Sequence, residues 1–133
     1  MSSKNIILWA KETLATEAKA LISAGERLNG DFTNAVNTIL NAKGKVVMTG
    51  LGKSGHVAKK IAATFASTGT PSFFIHQSED LPGDLGMIGS EDVIISIAYG
   101  GETYETIRVA KFGKKIGIPV ISITGNINSS LAE

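Results

Sequence analysis

Two glycine-containing stretches of the sequence have the residue types and spacing that bind anions. TGLGKSGH occupies residues 49–56, and AYGGETYE occupies residues 98–105. Each stretch follows a short apolar run and precedes a segment with helical periodicity. Glycine lets a backbone approach a ligand closely, and the first N–H groups of a helix attract negative charge. We therefore expect each stretch to form a turn that holds an anion such as a phosphate group.

The first stretch is compatible with three kinds of phosphate loop. Gly50, Gly52 and Gly55 have the G-x-G-x-x-G spacing of a dinucleotide-binding turn. That motif also needs an acidic residue at the end of the second strand, but there the sequence reads FFIH and the first acid is Glu79. A Walker A loop would need a glycine where Val47 stands. The third alternative, a sugar-phosphate loop, is favoured because a second stretch has similar chemistry.

The elements around these stretches alternate between strand and helix from residue 45 onward. Apolar runs predict four strands, and 3.6-residue periodicity predicts two helices between them. The strands are predicted at 45–50, 71–76, 92–101 and 119–125, the helices at 54–69 and 102–117, and an irregular segment or short helix at 78–89. Two further helices are predicted at 5–28 and 32–42. This order indicates an α/β fold, a doubly wound parallel sheet with helices on both faces, preceded by two N-terminal helices.

Several side chains are predicted to lie at the ligand-binding edge of this sheet. Ligands of open α/β sheets bind at the carboxyl ends of the strands, where both glycine stretches begin. Lys53 and Thr103 belong to the two turns, and His76 ends the second predicted strand. Glu102 and Glu105 begin a helix, where the helix dipole favours acids even without a function. From the residues alone, Lys53 is also compatible with an ordinary surface lysine.

Composition limits the class of protein and its partners. The 133 residues are 43% hydrophobic and 19% charged, include no cysteine and carry a net charge of +1. These values are typical of a single globular domain without disulfides, and they argue against strong attraction to nucleic acid. No apolar run is long enough for a membrane span, and the first residues lack the layout of a signal peptide. We predict a cytoplasmic protein that binds neither nucleic acid nor membrane.

The C-terminal residues predict an incomplete sheet, and the N-terminal helix predicts association between copies of the chain. NINSSLAE, residues 126–133, is typical of a turn that enters a further helix. We therefore expect the last strand of the sheet to be missing from the chain. The long first helix has apolar surface to bury, and an uncovered sheet edge invites pairing. A homodimer or homotetramer is predicted.

Three segments together resemble the sugar isomerase (SIS) domain family. They are GKVVMTGLGKSGHVAKKIAATFASTGTPSFFIH at 44–76, GDLGMI at 83–88 and DVIISIAYGGETYE at 92–105. Within that family the sequence is most similar to the arabinose-5-phosphate isomerases of Kdo and capsule biosynthesis. The resemblance implies one SIS domain over 1–133, with helices at 1–42 and a sheet core at 43–133. The CBS domains of such isomerases are absent from this sequence.

The resemblance also implies an activity and a set of site residues. Such isomerases interconvert D-arabinose 5-phosphate and D-ribulose 5-phosphate through a cis-enediol, as homo-oligomers, and need no metal or organic cofactor. By position, Lys53 matches the active-site lysine of the family, Glu105 matches a glutamate important for activity, and Ser54 and Thr103 match hydroxyls that bind phosphate. A carboxylate base and an ammonium beside the developing enediolate suit this chemistry. The other predicted binding residues are Gly52, Gly55, Gly101, Glu102 and His76.

Three positions depart from the pattern of the family. Its phosphate loop usually reads S-x-S-G-E-[ST], whereas this chain has Ala98 and Gly100 at the serine positions. Pro82 stands where the isomerases usually carry a histidine. Each lost hydroxyl removes a hydrogen bond worth on the order of 1 kcal/mol to phosphate binding. The alternative function is therefore a noncatalytic SIS module that binds or senses a sugar phosphate.

Overall fold

A computed structural model describes residues 3–76 and 84–133 of the chain. In these two ranges the helices are α1 Ser3–Glu26, α2 Gly30–Asn41, α3 Gly52–Ser67 and α4 Tyr104–Ile116, and the strands are β1 Val46–Gly50, β2 Ser72–Phe74, β3 Val93–Ile97 and β4 Val120–Ile123. A short 3₁₀ helix spans Asp84–Met87. The chain divides into two compact units, Met1–Asn34 and Ala35–Glu133. The predicted order of helices and strands is confirmed.

The first unit consists of α1 and the beginning of α2. None of the 24 residues of α1 is buried, and its Trp9 is half-exposed. The break between the helices lies at the predicted NGD stretch, where the backbone N–H of Asp31 donates to Asn29 Oδ1 at 2.9 Å. No helix in the described ranges combines the length and the apolar character that a membrane crossing requires.

The second unit contains a four-stranded parallel sheet in the order β2-β1-β3-β4. Every residue of β1 and of β3 is buried, which explains why both strands are continuous apolar runs in the sequence. The chain goes from β1 outward to β2, returns to β3 on the other side of β1, and continues to β4. This is the doubly wound arrangement predicted from the alternation of elements.

Helices α3 and α4 cover opposite faces of the sheet. Met48 of β1 faces one hydrophobic cluster together with Ala58 of α3. The preceding residue of β1, Val47, faces a second cluster together with Val109 of α4. Successive strand residues point to opposite faces, so one strand supplies both clusters. The sheet is therefore the central layer, and the two helices begin at its carboxyl edge and pack on opposite faces.

The end of the chain differs from its prediction. Residues 126–133 form successive turns rather than the start of a helix, with Ser129 N donating to Asn126 O at 3.2 Å and Ala132 N to Ser129 O at 2.9 Å. The Leu131 N–H donates to Gly101 O, 30 positions away in the chain, instead of to a helical acceptor. By contrast, α4 ends as predicted at Gly117, which has the left-handed φ of 78°.

Candidate functional site

The two glycine stretches lie at neighbouring strand ends. Gly50, the last residue of β1, is in register with Ile97, the last residue of β3. The strand order reverses between these two strands, since β2 lies beyond β1 and β4 beyond β3. Open α/β sheets bind their ligands at such a reversal, outside the carboxyl ends of the strands. The candidate site is therefore the crevice between the beginnings of α3 and α4.

The first loop, residues 51–54, is compact and made by its own glycines. Leu51 is the single residue between β1 and α3. Gly52 has a positive φ of 57°, a conformation that favours glycine. A Cβ on Gly50 would lie 2.9 Å from the carbonyl of Ser54, and a Cβ on Gly55 would lie 2.7 Å from the carbonyl oxygen of Gly50. The close approach of strand and helix thus excludes side chains at both positions.

The first loop presents positive charge and unsatisfied donors. Lys53 is exposed in the first turn of α3, and Ser54 beside it is partly exposed. Leu51 cannot cap α3 with its side chain, and this first turn has no acidic residue. The first N–H groups of a helix have no partner within the helix, so they are available to a ligand here. Backbone, hydroxyl and ammonium donors therefore occur together at this strand end.

The second loop, residues 98–103, presents a similar but longer turn. Gly101 is buried and has a positive φ of 71°. Thr103 precedes α4 and makes no side-chain cap hydrogen bond, so its hydroxyl is not used to close the helix. Glu105 is partly exposed in the first turn of α4. Ala98 packs with Ala110 and points into the interior rather than toward a ligand.

A third segment supports the second loop from behind. We call residues 124–131, which follow β4 at the same edge, the support segment. Gly125 N donates to Tyr99 O at 2.9 Å, and Leu131 N donates to Gly101 O at 3.0 Å. A Cβ on Gly101 would overlap the side chain of Ser129. The second loop is therefore held between the crevice and the support segment.

Glu102 is joined to the support segment by its carboxylate. Oε1 accepts the backbone N–H of Ser130 at 2.9 Å, and Oε2 accepts the Ser130 hydroxyl at 2.7 Å. The backbone hydrogen bond, followed by the hydroxyl hydrogen bond, holds the pKa of Glu102 below its ordinary value of 4.5. Both oxygens of this predicted binding residue are thus engaged within the protein.

His76 lies on the side of the crevice away from the second loop. It follows β2, which β1 separates from β3. Its ring contacts Phe74 edge-to-face at 5.1 Å between centroids, and Lys59 Nζ lies 5.2 Å from the centre of the Phe74 ring. A Cβ on Gly55 would lie 3.7 Å from the same ring. His76 is therefore associated with the first loop and α3.

Other features of the chain do not enlarge this site. Within residues 3–76 and 84–133, no three His, Asp or Glu side chains are grouped so that they could hold a metal ion. A surface groove of about 510 Å³ lies at the opposite end of β1 and β2, lined in part by Lys45, Pro71 and Phe73. Pro82 lies outside the described residues. Sequence reasoning missed the support segment, although its small and polar residues directly follow a strand at the ligand edge.

Known proteins with similar sequences belong to one family. The sequence profile of the SIS domain matches residues 38–133. The chain belongs to the SIS domain family. It is 48% identical over 124 residues to the arabinose 5-phosphate isomerase KdsD of Pseudomonas aeruginosa, covering 93% of this chain and 38% of that protein. It is 46% identical over 129 residues to the arabinose 5-phosphate isomerase KpsF of Escherichia coli O6:H1 strain CFT073, covering 96% and 39% respectively.

A solved structure of this SIS domain type has the same fold. A protein of E. coli CFT073, determined in complex with arabinose 5-phosphate, superimposes with a TM-score of 0.91 at 43% sequence identity. The alignment covers 99% of this chain and 70% of that one. The chain spans about two fifths of the length of the two curated relatives.

Proposed function

We propose that this chain is part of an isomerase that interconverts D-arabinose 5-phosphate and D-ribulose 5-phosphate. The observation that carries the proposal is the pair of loops at the β1–β3 reversal, with Lys53 and Glu105 in the first turns of the helices that follow these two neighbouring strands. The identity of 48% to an arabinose 5-phosphate isomerase, over 93% of the chain, supports the substrate.

The phosphate group of the substrate would bind to the two loops. Gly52 and Gly101 adopt positive φ angles and bring backbone close to the crevice, and Gly55 keeps α3 close to β1. Ser54 and Thr103 add hydroxyl donors beside the first turns of α3 and α4. Both helices direct the positive ends of their dipoles toward the same crevice, which favours a doubly charged phosphate.

The isomerisation would be a proton transfer between adjacent carbons. The Glu105 carboxylate would remove the proton from C2 of the aldose, and the electron pair of that C–H bond would form the C1–C2 double bond. The π electrons of the C1–O1 bond would move to O1, which takes a proton from the solvent, to which O2 later returns one. The Lys53 ammonium stabilises the negative charge that develops on the enediolate oxygen. Return of the proton to C1 and loss of the O2 proton give the ketose. These steps require no external oxidant or reductant.

Three parts of this proposal extend beyond the crevice. His76 is a predicted contact to the substrate from the side of β2. Glu102 would contribute to binding indirectly, because its hydrogen bonds to Ser130 hold the second loop. A homodimer or homotetramer in the cytoplasm is a prediction from the sequence and from the family resemblance.

The proposal is tested by incubating the chain with arabinose 5-phosphate in D₂O. We expect ribulose 5-phosphate to form with deuterium at C1, since an enediol intermediate exchanges its proton with solvent. Replacing Lys53 by Ala should reduce turnover by about 10²–10³-fold, the usual effect of removing one group that stabilises a developing oxyanion. Chemical conversion and label position are measured together by NMR spectroscopy.

Lys60→Ala is the matched control for Lys53→Ala. Lys60 is also exposed on α3, two turns further along, and its replacement should leave turnover unchanged. Turnover of the unsubstituted chain that is no higher than that of Lys53→Ala would refute the isomerase proposal. Equal losses in both variants would show that Lys53 has no special role.

The second candidate function is a noncatalytic sugar-phosphate-binding module. The observation that favours it is that the exposed position Gly100 of the second loop has no hydroxyl, whereas Ala98 lies in the interior. A thermal shift experiment with a panel of sugar phosphates distinguishes the two functions, because a bound ligand raises the unfolding temperature with or without turnover. Stabilisation without product supports the module, and stabilisation with product supports the isomerase.

A further inference from the structure

We propose that Glu102 is a positioning residue, which holds the support segment behind the second loop and thereby keeps that loop in its phosphate-binding shape. This inference rests on the proposed function, because it concerns the same phosphate site. It assigns to Ser130 and its neighbours a role that neither loop motif suggests.

The hydrogen bonds join two short pieces of backbone at successive positions. Glu102 receives two hydrogen bonds from Ser130, at 2.9 and 2.7 Å. The residue before it, Gly101, receives the N–H of Leu131 at 3.0 Å. Positions 101 and 102 are thus paired with positions 131 and 130, which are about 30 residues away in the chain. These contacts fix both the position and the direction of the second loop.

The two neighbours of Glu102 are the residues that would meet the phosphate. Gly101 is buried with a positive φ, and a Cβ there would overlap Ser129 and lie 2.9 Å from Thr124 Oγ1. Thr103 has a hydroxyl that does not cap α4. A displacement of Glu102 would therefore move the Gly101 backbone and the Thr103 hydroxyl together.

The charge of Glu102 also argues for an indirect role. A carboxylate in contact with a phosphate would place two negative groups together, whereas here two donors of one serine satisfy both carboxylate oxygens. Hydrogen bonds to an ionised acceptor are stronger than those between neutral groups. The lowered pKa of Glu102 agrees with this role, because both hydrogen bonds from Ser130 favour the ionised carboxylate.

Hydrogen–deuterium exchange tests whether Glu102 holds the two segments together. Glu102→Ala should speed amide exchange in residues 99–103 and in the support segment. Glu102→Gln should exchange more slowly than Glu102→Ala, because its amide carbonyl accepts the Ser130 N–H and its NH₂ group donates to Ser130 Oγ. Asn128→Ala is the matched control, since Asn128 is exposed in the same segment with no side-chain hydrogen bond to the described residues. Unchanged exchange in Glu102→Ala would overturn the proposal.

Binding measurements test whether this support acts on the phosphate site. We expect Glu102→Ala to weaken arabinose 5-phosphate binding about tenfold and Ser130→Ala about threefold, with the double variant no weaker than Glu102→Ala, since residues acting as one unit are not additive. Glu102→Gln should restore affinity. The dissociation constants are measured at a temperature where all variants are folded, so a general loss of stability does not alter them.

The outcomes separate this inference from the proposed function. Losses that multiply in the double variant would show that Glu102 acts on the ligand independently of Ser130, and would overturn the positioning role. If the unsubstituted chain binds neither arabinose 5-phosphate nor inorganic phosphate, the proposed function fails. In that case faster exchange in Glu102→Ala still supports the structural part of the inference, and unchanged exchange refutes it.

Discussion

The first and second loops look alike in the sequence but are built in different ways. The first loop, residues 51–54, has only Leu51 between β1 and α3, and the close contacts that shape it lie within residues 50–55. The second loop has six residues, and its hydrogen bonds reach the support segment beyond β4. One turn is therefore local, and the other depends on a distant part of the chain.

The two loops therefore differ in how much they depend on the rest of the chain. The first loop carries Lys53, and the contacts that exclude side chains at Gly50 and Gly55 come from residues 50–55 themselves. The second loop brings Thr103 and Glu105 to the crevice, but its shape depends on Glu102 and the support segment. Substitutions in the first loop should therefore have local effects, whereas substitutions in the second loop should also change the end of the chain.

The largest expected effect comes from Gly101→Ala in the second loop. Its positive φ is strained for alanine, and the added methyl group would overlap Ser129. We expect the free energy of unfolding to fall by about 2–4 kcal/mol, from backbone strain and overpacking together. Urea unfolding measures this change. Gly100→Ala is the control, because a Cβ there meets nothing within 4 Å and should change stability little; equal losses in the two variants would contradict the expected overlap.

Gly55→Ala tests the first loop and should have a smaller effect. The methyl group would lie 2.7 Å from the carbonyl oxygen of Gly50, so β1 and α3 must separate slightly. We expect a loss of about 1–2 kcal/mol, since the higher helix propensity of alanine offsets part of the overpacking. Amide exchange should change near Gly50 but not in the support segment. An equal change in the support segment would show that the first loop is not local.

Gly100→Ser restores one hydroxyl that the family usually has in the second loop. The position is open and its φ is not positive, so serine fits without strain. If the hydroxyl reaches the phosphate, the affinity for arabinose 5-phosphate should rise about fivefold, the value of one net hydrogen bond. Isothermal titration calorimetry measures the change. Unchanged affinity would show that this part of the loop does not face the ligand.

The smallest expected effect is a pH dependence of stability from Glu102. Its pKa in the folded chain is below 4.5, so the unfolded chain binds the proton more tightly. The stabilisation from this group is complete above pH 4.5 and is lost as the pH falls through the lower, folded-state pKa. Glu102→Gln should remove this part of the acid dependence, as measured by urea unfolding at several pH values. Identical pH profiles would contradict a contribution from Glu102.

Sequence reasoning predicted most of the fold because its signals are local. Continuous apolar runs identified β1 and β3, since both strands are buried on both faces. Gly117 marked the end of α4, because a glycine in the left-handed conformation is a local signal for a helix end. Residues 126–133 form the predicted turn, but the further helix does not begin within them, because Ser130 and Leu131 donate their N–H groups to the second loop instead of to carbonyls one turn earlier.

The sequence by itself determined the alternation of strands and helices, the two glycine turns and the types of side chain beside them. Only the tertiary structure decided that Glu102 pairs with Ser130, that Ala98 points into the interior, and that His76 lies with the first loop. The physical reason is the distance along the chain over which each interaction acts. Propensity and periodicity act over a few residues, whereas the partner of a side chain 28 positions away is chosen by how the strands pack.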